Sequence, residues 1–252
     1  MNRPLSAPKA QLTGIKAVLF DAYGTLFDVY SVALLAEQLF PGQGQALAVL
    51  WRDKQIDYTR LVSMSGRYRP FWELTRLGLR FAAERLGLAL TPAAEERLMN
   101  QYHHLSAFPE NREVLETLKA RGVRCGVLSN GDPAMLEVAV RSAGFSGLLD
   151  PVLSVDTVRR FKTDPAAYAL GPQALGLPAA EILFVSSNGW DAIGATWFGY
   201  TTLWVNRAAA PLERLETEPT RRGTSLRDVL DCFAAPPSSG TVTATTIPNP
   251  TP

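Results

Sequence analysis

The chain is poor in the residues that build metal centres and disulfide frameworks. Its 252 residues include 2 cysteines and 2 histidines. Cys125 and Cys232 lie far apart and define no disulfide framework. Cys125 sits inside an apolar run and reads as a buried thiol. His103 and His104 are adjacent, which is not the spacing of metal ligands. The net charge is also small, with 25 Lys+Arg against 24 Asp+Glu, or +1. That balance argues against a chain whose main partner is nucleic acid or an anionic membrane. No apolar run approaches the roughly 18 residues of a membrane span. Residues 1–14 have no apolar core of the kind a secretory signal needs. The expectation is a soluble, cytoplasmic protein. Gly42-x-Gly44 lacks the third glycine of a dinucleotide fingerprint. There is no phosphate-binding Gly-x-x-x-x-Gly-Lys loop and no Gly-x-Ser-x-Gly elbow.

What the chain does have is a set of short apolar runs: Ile15–Phe20, Val123–Leu128, Val152–Val155, Ile182–Ser186 and Thr202–Val205. They do not alternate with polar residues, as expected of strands in a parallel sheet covered on both faces. Asp132-Pro133 and Asp164-Pro165 each read as a helix N-cap followed by proline at the first helical position, and Gly144 can close the first of these helices. Strands alternating with helices indicate an α/β fold with a doubly wound parallel sheet. Between the first two runs lie about a hundred residues without a strand signal, too many for a structureless loop. Val32, Leu35, Ala36 and Leu39, then Leu47, Leu50, Trp51, Tyr58 and Leu61, recur at helical spacing, and Thr91-Pro92 starts another helix. The expected organisation is a loose N-terminus (1–14), a split α/β core (15–27 and 108–231), an inserted helical cap (28–107) and a disordered tail (232–252). The tail holds no charged residue and five prolines, a composition that cannot bury a core.

Polar clusters follow the apolar runs directly. Phe20 leads into Asp21-Ala22-Tyr23-Gly24-Thr25, and Leu128 into Ser129-Asn130-Gly131-Asp132. Val155 leads within a few residues to Phe161-Lys162, and Val185 into Ser186-Ser187-Asn188-Gly189-Trp190-Asp191. In an open parallel sheet all of these emerge at one edge, where such folds bind ligands.

In this order the four clusters resemble the haloacid dehalogenase superfamily, over about residues 15–206. The superfamily's nucleophilic aspartate, with Gly-Thr-Leu beyond it, corresponds to Asp21 followed by Gly24-Thr25-Leu26. The magnesium-dependent phosphatases of that superfamily carry a second aspartate two residues on, and a Gly-Asp-x-x-x-Asp segment. Here those places hold Tyr23 and Ser186-Ser187-x-x-x-Asp191. Both substitutions remove chemistry that phosphoryl transfer needs. A phosphatase with a degenerate metal site is therefore the alternative rather than the first reading. The stretches around Asp21, Ser129 and Asp191, with Leu50-Trp51-Arg52-x-Lys54-Gln55 in the cap, resemble the L-2-haloacid dehalogenase branch in particular.

That resemblance implies hydrolysis of a short (S)-2-haloacid to the (R)-2-hydroxyacid and halide, with no cofactor and no metal. It also implies a homodimer formed through the cap region. The Asp21 carboxylate would attack carbon 2 with inversion and form an ester. Lys162 would keep Asp21 ionised and aimed. Arg52, which corresponds to the family's halide-binding arginine, would with Asn188 cradle the departing halide. Amides near Ala22, Tyr23 and Asn130, with the Ser129 hydroxyl, would bind the substrate carboxylate. Asp191 would orient or deprotonate the water that attacks the ester. Thr25 and Ser186 would fix neighbouring carboxylates. Tyr23, Phe71 and Trp190 would wall the alkyl group, and Tyr168 would buttress Lys162. One departure stands beside the cap arginine: the resemblance implies glutamine where this chain has Asp53. A carboxylate there would repel an anionic substrate if it faced the pocket.

Overall fold

The computed structural model describes residues 12–233. Strand β1 (Ala17–Phe20) is followed by four helices, α1 (Ala33–Leu39), α2 (Gly44–Met64), α3 (Phe71–Arg85) and α4 (Pro92–His103). The chain then runs through α5 (Asn111–Ala120), β2 (Arg124–Ser129), α6 (Pro133–Ser142), β3 (Val152–Ser154) and α7 (Pro165–Leu175). It finishes with β4 (Ile182–Ser186), α8 (Gly189–Phe198), β5 (Thr201–Val205), β6 (Arg221–Gly223) and a 3-10 turn over Leu226–Cys232. The strands form one six-stranded sheet in the order β3-β2-β1-β4-β5-β6, every neighbouring pair parallel.

Each of the five apolar runs overlaps a strand, and the central ones are covered on both faces. All of β1 and all of β4 are buried. Asp164 caps α7, its carboxylate accepting from the Ala166 amide at 2.9 Å, and Thr91 caps α4 through the Ala94 amide at 3.2 Å. β6 was not expected. No apolar run marks this stretch, yet Arg221–Gly223 pairs with Leu203–Val205. An edge strand needs apolar residues only where the sheet is covered, so three residues containing two arginines carry no strand signal. Cys232 was assigned to the tail but is buried at the end of the last 3-10 turn. The rest of that expected tail, 234–252, lies outside the described residues, as do residues 1–11. No helix of the described residues is long and apolar enough to cross a membrane.

Register places the chemistry. Phe20 aligns with Val127 on one side and Val185 on the other. The residues that leave these strands, Asp21, Ser129-Asn130 and Ser186, therefore reach the same carboxyl edge of the sheet. The four helices after β1 stand above that edge. Phe27 and Ala107, on either side of this helical stretch, pair in an antiparallel bridge. α2 and α3 pack closely because Gly78 has no side chain: a β-carbon there would lie 3.3 Å from the Gln55 backbone nitrogen.

Asp132 corrects an expectation about capping. It occupies the N-cap position of α6, but its carboxylate makes no bond to that helix. It accepts instead from the amides of Phe71 and Trp72, both at 2.8 Å, and so caps α3 from across the cleft. Burial holds this carboxyl above the usual carboxylate range, opposed by the two amides. Arg160 and Ser63 add a second link, Nη1 donating to the Ser63 carbonyl at 2.8 Å, and the Tyr68 hydroxyl donates to Asp156 at 2.5 Å. Replacing Asp132 with alanine leaves the first turn of α3 uncapped and is expected to cost about 1–2 kcal/mol in urea denaturation, with Asp132→Asn retaining most of the stability. An unchanged midpoint in Asp132→Ala would refute the capping role.

Candidate active site

Asp21 follows the last residue of β1 and is nearly buried. Both of its carboxylate oxygens are held. Oδ1 accepts from Lys162 Nζ at 3.0 Å. Oδ2 accepts from Thr25 Oγ1 at 2.9 Å and from Asn188 Nδ2 at 2.8 Å. Thr25 is itself fixed by the Ser187 amide, which donates to its hydroxyl at 2.8 Å. The turn after Asp21 favours glycine at position 24 through its backbone. Its φ is +98°, a conformation L side chains rarely adopt.

Lys162 also donates to Asp191 Oδ2 at 3.1 Å, so one ammonium bridges two carboxylates. Its side chain is wholly buried. Burial disfavours its charge, but the Asp191 and Asp21 carboxylates together outweigh that and hold its pKa above the ordinary lysine value. Asp191 is fully buried, and desolvation holds its carboxyl above the usual range, opposed by Lys162. Tyr168 donates to Asp191 Oδ1 at 2.8 Å, so it buttresses Asp191 where Lys162 was the expected partner. Tyr200 in turn donates to the Tyr168 carbonyl at 2.6 Å.

From α2, Arg52 reaches down to the same place. Its Nη2 donates to the Tyr23 carbonyl at 3.0 Å and to Asn188 Oδ1 at 3.4 Å, and its Nη1 to Gln55 Oε1 at 2.8 Å. Arg52 is buried while Asp53 is exposed, so the acid that departs from the expected pattern points away from the site. The remaining expected residues divide. Ser129 accepts from the Gly131 amide at 3.0 Å, and Asn130 Oδ1 accepts from the Lys162 amide at 2.9 Å. Both order the rim, and Gly131 makes room for the Tyr23 ring, 2.6 Å from where a β-carbon would sit. Ser186 accepts from the Asn188 amide at 3.1 Å, so it orients Asn188 where a carboxylate was the expected partner. Tyr23 packs against Phe71 with ring centroids 5.7 Å apart and stacks on Tyr102 at 5.8 Å. Trp190 is only half-buried and lies under the Arg60 guanidinium, 5.5 Å from it, apart from that stack.

Several residues at the site had no role in the sequence reading. Gln55, Thr75 and Tyr102 surround the far side of Arg52. Arg207 donates to Ser187 Oγ at 2.6 Å and to Glu110 at 3.0 Å. Only Gln55 carried a signal, three residues after Arg52 on one helix, and three-residue spacing makes helical neighbours. Arg52 and Asn188 line a cavity of about 360 Å³ that also touches Arg207 and Tyr30. Lys162 and Phe161 line another of about 340 Å³ beside Arg60 and Met64. A larger cavity, about 760 Å³, lies between α6, α7 and β3 and touches none of these charged groups, so its size does not make it the site.

Comparison with known proteins supplies the family. Residues 15–199 match the haloacid dehalogenase-like hydrolase family. The chain belongs to that family. It is 44% identical over 219 residues to the (S)-2-haloacid dehalogenase of Pseudomonas sp. strain YL, covering 87% of this chain and 94% of that one. It also resembles a solved L-2-haloacid dehalogenase at 62% identity and a TM-score of 0.85, over 86% of this chain and 98% of the other. The L-2-haloacid dehalogenase of Xanthobacter autotrophicus, solved with chloropropionic acid covalently bound, matches at 37% identity and a TM-score of 0.79, over 85% and 96%.

Within this haloacid dehalogenase-like hydrolase the magnesium site of the phosphatase members does not fit the donors present. Tyr23 fills one acid position with a ring in an aromatic stack. Ser187 fills another and is bonded to the Arg207 guanidinium. The space between the two remaining carboxylates is taken by the Lys162 ammonium.

Lys162→Met is expected to destabilise the fold by about 3–5 kcal/mol at pH 7, because it leaves buried carboxylates without their cation. The native variant should then bind more protons than its unfolded chain, so its stability should rise as pH falls from 7 toward 4. Denaturation midpoints across that range test this; a gap from the wild type that does not narrow on acidification would contradict it.

Proposed function

We propose that the chain is an (S)-2-haloacid dehalogenase that hydrolyses short 2-haloalkanoic acids with inversion, residues 28–107 acting as a cap over a core of 15–27 and 108–231. The observation that carries this is the setting of Asp21: a buried carboxylate held by Lys162, Thr25 and Asn188, the last of these also bonded to an Arg52 guanidinium that makes no ion pair among the described residues. Asp21 attacks carbon 2 from the side opposite the halogen. The carbon–oxygen bond forms as the carbon–halogen bond breaks, and the electron pair leaves with the halide. Arg52 and the Asn188 side chain stabilise the charge that develops there. Amides of the Ala22–Tyr23 turn and of Asn130, with the Ser129 hydroxyl, receive the substrate carboxylate. Tyr23, Phe71 and Tyr102 supply the apolar wall.

Water then attacks the carboxyl carbon of the Asp21 ester. Asp191 takes its proton, a role suited to a carboxyl that burial holds above the usual range. The tetrahedral intermediate collapses, the hydroxyacid oxygen takes a proton as it leaves, and Asp21 is restored. Lys162 stabilises the negative charge through both steps. The covalently bound chloropropionic acid in the Xanthobacter autotrophicus relative supports the ester. Exposed Leu34, Leu61 and Met64 on α1 and α2 support pairing of two chains through the cap.

Purified protein is expected to release chloride from (S)-2-chloropropionate and not from the (R) enantiomer, in the presence of excess chelator. Asp21→Asn should lose all turnover. Chloride from neither enantiomer, with the protein folded, would refute the proposal, and full activity of Asp21→Asn would refute the nucleophile.

A further inference from the structure

Gln55 is a wholly buried polar residue in the middle of the helical layer. Its orientation is dictated by its neighbours. The Thr75 hydroxyl donates its one hydrogen to the Phe71 carbonyl at 2.8 Å, so toward Gln55 it acts only as an acceptor. The Gln55 amide nitrogen must therefore face Thr75, which it reaches at 2.6 Å. The amide oxygen is left facing Arg52 Nη1 at 2.8 Å, with the Tyr102 hydroxyl donating to the same oxygen at 3.1 Å. Among the described residues, the hydrogen-bond partners of the Arg52 guanidinium are neutral groups: the Gln55 amide, the Tyr23 carbonyl, the Asn188 amide and the Tyr102 hydroxyl.

A buried guanidinium ordinarily takes a carboxylate partner, because the bidentate ion pair is the strong interaction available to it. Glutamate has the size of glutamine and would make the same bond, but would cancel the charge. We propose that Gln55 is a positioning residue that fixes Arg52 through a neutral bond and leaves its charge uncompensated, available to the departing halide. Gln55 thereby sets how strongly the site responds to the leaving group. This rests on the dehalogenase reading above, and deepens it.

The test compares wild type with Gln55→Glu using inhibition by bromide, inhibition by the (R)-2-hydroxyacid, and kcat on 2-chloro- against 2-bromopropionate. Gln55→Glu is expected to weaken bromide inhibition on the order of ten-fold or more, as loss of an electrostatic stabiliser does. It should lower kcat more for the chloride than for the bromide leaving group, and leave inhibition by the hydroxyacid unchanged. A merely structural role would move all these quantities together. If Gln55→Glu does not fold, Gln55→Met carries the test, since it fills the same space without the acceptor; weaker bromide inhibition is again expected. A folded variant with wild-type bromide inhibition and leaving-group ratio overturns the inference. Failure of the wild type itself to release halide overturns the functional reading instead.

Discussion

Lys162 between Asp21 and Asp191 is the interaction on which the rest of the site depends. Three charges are taken out of water at once, each at a cost of several kcal/mol. The arrangement is tolerable because the ammonium lies 3.0 Å from one carboxylate and 3.1 Å from the other, and because the remaining oxygens are also bonded. Thr25 and Asn188 complete Asp21, and Tyr168 completes Asp191. The triad alone carries one net negative charge. Arg52 from α2 stands apart from this triad, its hydrogen bonds going to neutral groups.

The turn after β2 shows how the fold places that centre. Four consecutive residues each do something different. Ser129 orders the turn by accepting from the Gly131 amide. Asn130 holds the Lys162 backbone. Gly131 leaves room for the Tyr23 ring. Asp132 caps α3 and so sets where Phe71 lies against Tyr23. Lysine placement, ring placement and helix docking are coupled through one short segment at the sheet's carboxyl edge.

The sheet was legible because buried parallel strands write themselves as continuous apolar runs, and the site because its polar clusters follow those runs. Arg221–Gly223 left no such mark, since an edge strand requires no apolar run. The partners of individual side chains were harder to read. Tyr168 was expected against Lys162 and holds Asp191; Ser186 was expected on a carboxylate and serves the Asn188 amide. Asp132 looked like the cap of its own helix and caps another. In each case the residue type announces a hydrogen bond, but the partner is chosen by tertiary packing. Arg207 and Glu110 illustrate the limit: they meet across 97 positions of sequence, with no local pattern to announce the pairing.

The most direct measurement of the central claim is a single turnover in ¹⁸O-water with enzyme in excess over (S)-2-chloropropionate. If Asp21 forms the ester, the first hydroxyacid molecules carry unlabelled oxygen from the enzyme, and the peptide containing Asp21 gains the label. Label in the hydroxyacid from the first turnover, with none in the Asp21 peptide, would show that water attacks the substrate directly and would contradict the account.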